Sequence, residues 1–171
     1  MTVTALVVAK APVPGLAKTR LAATIGDAAA AEVAAAALLD TLDAVAAADV
    51  DHRVVALTGH LHDAARAEEL TRALASFTVI PQRGDGLGER LANAHADAAP
   101  AGAVLQIGMD TPQVTGRLLS DAAALLADTI YSVPPRTAVG GSWVYGILLR
   151  PGHCWTYRCL HRRRATTLGW H

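Results

Sequence analysis

Short apolar runs alternate along this chain with longer stretches whose apolar positions recur at helical spacing. Thr4–Ala9 (TALVVA) is a compact β-branched run and predicts a buried strand. The segment KAPVPG breaks regular structure with two prolines and a glycine. Leu16–Ile25 then reads as a short helix closed by Gly26. Asp27 reads as the N-cap of a long alanine- and leucine-rich helix reaching about Ala47. Arg53–Leu57 (RVVAL) predicts a second strand, Leu61–Ala75 an amphipathic helix, and Phe77–Ile80 (FTVI) a third strand. The loop PQRGDGLGER leads into a helix through Ala99. Ala103–Ile107 (AVLQI) predicts a fourth strand, Gly108–Pro112 the loop at its end, and Val114–Ala127 a further helix. Strands alternating with helices at this spacing predict a three-layer α/β domain with a mostly parallel sheet. In such sheets ligands bind beyond the carboxyl ends of the strands. The loops KAPVPG and GMDTP both follow strands, so both are expected on that edge.

Composition narrows the function classes. The 171 residues are 52% hydrophobic, enough for one domain with a full core. Fifteen basic and fifteen acidic residues cancel, so no general basic surface for nucleic acid is expected. No apolar run has the length of a membrane span, and the start of the chain lacks a signal-peptide layout, so the cytoplasm is the expected location. Cys154 and Cys159 are too few, and wrongly spaced, for a zinc site.

Three loops concentrate the candidate chemistry. The first gathers Lys10, Lys18 and Arg20 around Pro12, Pro14 and Gly15. Three cations after a first strand, near a helix start, suit an anionic phosphate chain; solvated loop charges are the plainer alternative. The GxxxxGK[ST] spacing is missing around Lys18-Thr19, so this is not a Walker loop. The second loop, Gly84-Asp85-Gly86-Leu87-Gly88-Glu89-Arg90, allows backbone N–H groups to face a ligand; taken by itself it reads first as an ordinary turn with a helix start. The third, Gly108-Met109-Asp110-Thr111-Pro112, places a carboxylate just past a buried strand. Magnesium is held by one or two carboxylates together with substrate phosphates; a helix- or turn-capping Asp is the alternative. His60 and His62 read as a solvated loop, and His95 as a surface or boundary residue of its helix.

Taken together, VVAKAPVPGLAKTRLA, GDGLGER and LQIGMDTP resemble the bacterial glycosyltransferase-like proteins called radical-SAM/selenodomain-associated transferases. That family is related to 2-phospholactate guanylyltransferase and to molybdenum-cofactor nucleotidyltransferases. The resemblance covers roughly residues 4–129. It implies a Rossmann-like glycosyltransferase-A (nucleotide-diphospho-sugar transferase) fold, a nucleotide or nucleotide-sugar donor, a small-molecule acceptor and a divalent metal, Mg2+ or Mn2+. It implies Lys10, Pro14, Gly15, Lys18 and Arg20 around the phosphates, with Lys18, Arg20 and Asp110 as the catalytic set. It places Gly86, Gly88, Glu89 and Arg90 near the nucleoside, and Asp110 at the metal. This chain departs from the pattern at Met109, where the family has a small polar residue. A non-catalytic nucleotide-binding protein, or an inactive remnant of such a transferase, is the alternative. No nucleic-acid or membrane partner is expected, and an oligomer is compatible with all of these readings.

Beyond about Thr129 the resemblance stops. All three tryptophans, all three tyrosines and both cysteines lie at or beyond Tyr131. Reading the codons of Pro135–Val144 out of register permits Ala-Asp-Gly-Gly-Trp-Trp and then Gly, the order the family would show there. The expectation is therefore a nucleotide-binding transferase domain over 1–129 and a divergent, frameshifted tail over 130–171, with little strand or helix periodicity. Arg162–Arg164 would then be an accident of frame and not an anion patch.

Overall fold

A computed structural model of the protein describes residues 2–98, 102–128 and 145–148. Five strands form one sheet: β1 (Val3–Lys10), β2 (His52–Thr58), β3 (Thr78–Pro81), β4 (Ala103–Gly108) and β5 (Tyr145–Leu148). Their order is β3-β2-β1-β4-β5. The first four are mutually parallel, and β5 runs antiparallel to β4 with Ala103 opposite Leu148 and Gln106 opposite Tyr145. The helices are α1 (Thr19–Ile25), α2 (Asp27–Ala46), α3 (Ala67–Leu74), α4 (Leu87–Ala98) and α5 (Gly116–Asp128).

The alternation of side chains along β1 sorts the core into two layers. Val3, Ala5, Val7 and Ala9 join Leu38, Leu42, Leu70, Leu74, Leu119 and Ala123, so α2, α3 and α5 cover one face. Leu6 joins Val54, Ala56, Val104 and Ala94, so α4 covers the other. This is the three-layer α/β architecture expected from the sequence, and truncating a fully buried Leu38 or Leu42 to alanine costs about 2–5 kcal/mol in such a setting.

Several local boundaries differ from the sequence pattern. Gly26, not Asp27, caps α2; its φ of 86° turns the chain, and Asp27 opens the helix, where its charge favours the N-terminal end of the helix dipole. The span Leu61–Ala75 is divided into a 3-10 turn (Leu61–Asp63) and α3, separated by Arg66 in the left-handed region (φ 55°). α5 starts at Gly116 with a side-chain cap from Thr115, whose hydroxyl accepts the Leu118 N–H at 3.2 Å. β5 lies inside the segment whose pattern gave no strand, and it pairs the outer edge of β4. The rest of residues 129–171, with both cysteines and the arginine run, lies outside the described residues.

A candidate phosphate-binding crevice

The chain steps outward from β1 to β2 and β3, then returns across the sheet to place β4 on β1's other side. β1 and β4 lie side by side and parallel, so their following loops emerge together at one carboxyl edge and lead on to α2 and α5 on the same face. Ligands bind at this edge in such sheets, which makes the space between the two loops the candidate crevice. The two loops here are those singled out in the sequence: residues 10–18 after β1 and 108–112 after β4.

The loop after β1 is braced by its own backbone. Val13 O accepts the N–H groups of Leu16 and Ala17, both at 3.0 Å, and Pro12 O accepts that of Ala65 at 3.0 Å. Gly15 takes φ 77°, which an L side chain rarely adopts. The Lys10 ammonium donates to Leu16 O at 2.9 Å and closes the loop on itself. Gly59 lets the loop pack tightly, since a Cβ there would stand 3.1 Å from the Ala11 Cβ.

Lys18 is the hinge between this loop and α1. Its backbone is left-handed (φ 45°, ψ 47°), a conformation costing a non-glycine residue about 1–2 kcal/mol. Its ammonium reaches the other loop and lies 2.7 Å from Asp110 Oδ1. Lys18 is 26% exposed in its side chain and Asp110 is 55% exposed, so the pair sits at the crevice mouth, in reach of solvent. Arg20 is exposed on the first turn of α1.

Met109 makes a second link. Its sulfur accepts the Lys10 backbone N–H at 3.2 Å, and its own N–H continues the sheet by donating to Val8 O at 3.2 Å. Thr111 fixes the turn by donating from its hydroxyl to Gly108 O at 2.6 Å. No pattern along the chain marks Gln82, the other residue that organises this edge. Its side-chain amide donates to Ala9 O and Ala56 O, each at 2.8 Å, and holds the ends of β1 and β2 together.

The glycine-rich loop shares the same edge but is built differently. Gly84 has φ 124°, and a Cβ there would meet Glu89 Cγ at 2.8 Å. Glu89 turns back on its own loop and accepts the Asp85 N–H at 3.0 Å. No atom lies within 4 Å of a Cβ built at Gly86 or Gly88, so their backbone faces open space. Arg90 is half-buried, and its Nε is buried without a hydrogen-bond partner.

Among the described residues no three His, Cys, Asp or Glu side chains gather into a group able to hold a metal. Asp110 supplies one carboxylate. It fits a magnesium ion as part of a shell whose remaining donors are phosphate oxygens and water. The His60 and His62 rings lie tilted with centroids 5.4 Å apart, and His62 meets Asp63 at 3.2 Å with its side chain 77% exposed, as befits a solvated loop. A shallow depression on α3, lined by Arg66, Glu68, Glu69 and Arg72, is internally neutralised. There the Arg66 guanidinium hydrogen-bonds Glu69 at 2.7 Å and holds its carboxyl below the ordinary range.

His95 corrects the sequence reading. It is 3% exposed, not a surface or boundary residue, because the inner side of α4 packs on β4. Its Nε2 lies 2.7 Å from Gln106 Oε1, and Nδ1 has no partner. Burial pushes its pKa down, partly opposed by the Gln106 hydrogen bond.

A family profile described as "Uncharacterized protein conserved in bacteria (DUF2064)" matches residues 41–161. Among solved structures, the chain is similar to a "putative nucleotide-diphospho-sugar transferase" from Desulfovibrio desulfuricans G20, with 26% identity and a TM-score of 0.63. That match covers 75% of this chain and 56% of the other. A nucleotidyl transferase from Methanothermobacter is similar with 20% identity and a TM-score of 0.47, over 72% of this chain and 57% of the other. The chain therefore spans little more than half the length of either structure. No functionally curated protein matches it.

Proposed function

The chain belongs to this bacterial family, DUF2064, and from that premise we propose that it is a metal-dependent transferase using a nucleotide or nucleotide-sugar donor. The observation that carries the proposal is the Lys18–Asp110 contact of 2.7 Å, which joins the loops of β1 and β4 where the strand order reverses. The likeness of fold to the Desulfovibrio protein supports the same reading.

In this reading the donor's phosphates enter between the two loops. Lys18 and Arg20 neutralise their charge, with Lys10 bracing the loop and Pro14 and Gly15 shaping its approach. Asp110 would hold a Mg2+ or Mn2+ ion, which when bound neutralises charge on the phosphate oxygens. The open backbone at Gly86 and Gly88, with Arg90, forms the nucleoside side of the crevice. Transfer to a hydroxyl or phosphate of a small acceptor takes one of two forms. The acceptor attacks the α-phosphorus and pyrophosphate leaves, or it attacks the sugar carbon and a nucleoside diphosphate leaves. Both demand charge neutralisation and not a covalent nucleophile. Glu89 belongs to the nucleoside side and steadies the loop by accepting the Asp85 N–H on one carboxylate oxygen.

A second reading is a nucleotide-binding protein without catalysis. In it, Asp110 serves to hold Lys18 in place through their 2.7 Å contact.

Calorimetric titration with the common nucleoside triphosphates and nucleotide sugars, with and without magnesium, tests binding. A product assay on the same mixtures separates enzyme from binder. Asp110→Asn is expected to remove the magnesium response of binding while leaving the melting temperature near that of the parent. An unchanged magnesium response would end the metal assignment.

A further inference from the structure

We propose that the Lys18 ammonium is a placeholder for the divalent cation, so that phosphate and cation enter the crevice as a mutually dependent pair. The inference rests on the phosphate-binding reading above and adds to it an order and a coupling.

Lys18 is the only non-glycine residue of the β1 loop held in the left-handed region, and no side-chain cap accounts for that conformation. An uncommon backbone at a loop end points to a side chain whose direction matters. That side chain delivers a compact ammonium to Asp110 Oδ1 at 2.7 Å. A lysine ammonium is a point charge with three donors, and beside one carboxylate it balances the charge that a metal ion would balance. While it stays there, an arriving divalent cation meets a positive charge already in contact with the carboxylate.

An incoming phosphate chain changes the balance. It offers Lys18 a partner of higher charge, between a loop that carries Lys10 and a first turn of α1 that carries exposed Arg20. When the ammonium turns to the phosphate, the Asp110 carboxylate no longer shares its charge with Lys18 while anionic oxygens lie near. Asp110 would then hold a divalent cation more favourably. Phosphate therefore raises cation affinity, and by linkage the cation raises phosphate affinity by the same factor.

The prediction has an unusual sign. Removing the Lys18 charge should weaken phosphate binding yet tighten binding of the cation alone. Removing the Asp110 charge should tighten phosphate binding when no metal is present, because Lys18 is released. Both gains should be on the order of fivefold, the size of one exposed charge–charge contact.

The test uses the full chain. Mn2+ alone is titrated into the parent and Lys18→Met, with the free ion followed by electron paramagnetic resonance. Inorganic pyrophosphate is titrated in EDTA by calorimetry into the parent, Lys18→Met and Asp110→Asn. Lys18→Asn, a residue that tolerates the left-handed conformation, repeats the first arm should the methionine variant fold poorly. Tighter Mn2+ binding by the Lys18 variant and tighter metal-free pyrophosphate binding by Asp110→Asn bear the proposal out. If the Lys18 variant weakens pyrophosphate binding but leaves Mn2+ affinity unchanged or lower, the placeholder falls while the phosphate site stands. If the variant leaves pyrophosphate binding unchanged, the phosphate reading falls and the placeholder with it.

Discussion

At the scale of single residues, charge and burial decide what each side chain can do. Lys18 and Arg20 flank the start of α1, one half-buried against Asp110 and one exposed. A charge-assisted hydrogen bond to phosphate contributes about 1.5–3 kcal/mol, so Lys18→Ala and Arg20→Ala should each lower nucleotide affinity by about tenfold or more. Calorimetry checks this, with circular dichroism to show that the fold is kept; unchanged affinity in both variants would remove the phosphate assignment. His95 gives a prediction of another kind. Its pKa is depressed in the folded state, so just below the ordinary value of 6.5 the unfolded chain binds the proton more readily. Stability should be indifferent to this group above that pH and fall as pH drops from 6.5 toward the folded value. Melting temperature should therefore drop more between pH 7.5 and 5.5 in the parent than in His95→Gln, and parallel drops would show that His95 binds its proton equally well in the folded and unfolded chain. The sequence marked Lys18, Arg20 and Asp110 because they are charges after strands. It could not mark Gln82 or the Met109 sulfur, whose parts depend on neighbours brought together only by the fold. It misplaced His95 because one polar residue on an alanine-rich helix does not reveal which side faces inward.

At the scale of elements, the four parallel strands lie within a residue or two of their sequence-based bounds, since β-branched apolar runs have few other uses. Helix ends were less legible. Gly26 and Arg66 terminate or interrupt helices through positive φ, and a left-handed arginine carries no signal in the sequence. The buried side of α2 was not legible either, because alanine is nearly all around it. Ala30, Ala34, Leu38 and Leu42 are buried while Val33 is 45% exposed. One close approach ties α2 to α5. A Cβ at Gly116 would lie 2.9 Å from the Ala47 Cβ and 3.0 Å from its carbonyl carbon and oxygen. Backbone cannot yield as a flexible side chain does, so Gly116→Ala should destabilise the domain by about 1–3 kcal/mol. Denaturant unfolding measures this, and an unaltered midpoint would mean that the two helices are free to separate. Because α5 follows the Asp110 loop, the same variant is expected to loosen the crevice as well as the core.

At the scale of the whole molecule, the pattern of strands and helices gave the architecture but not the sheet order. Order is set by which connections cross the sheet, and periodicity along one strand holds no trace of that. The order β3-β2-β1-β4-β5 is what sets the loops after β1 and β4 side by side. β5 was illegible for a different reason: the sequence reading places it in a tail read out of frame, and four residues are too few to show alternation. The family match continues to residue 161, across the position where that change of frame was placed. No helix among the described residues is long and apolar enough to cross a membrane. What remains central is the claim that phosphates bind between the loops of β1 and β4. Backbone amide chemical shifts recorded while inorganic pyrophosphate and magnesium are added test it most directly. The largest shifts should fall on residues 10–20 and 108–112 and be lost in Lys18→Ala. Shifts centred elsewhere, such as on the Arg66–Arg72 surface of α3, or none at saturating pyrophosphate, would contradict it.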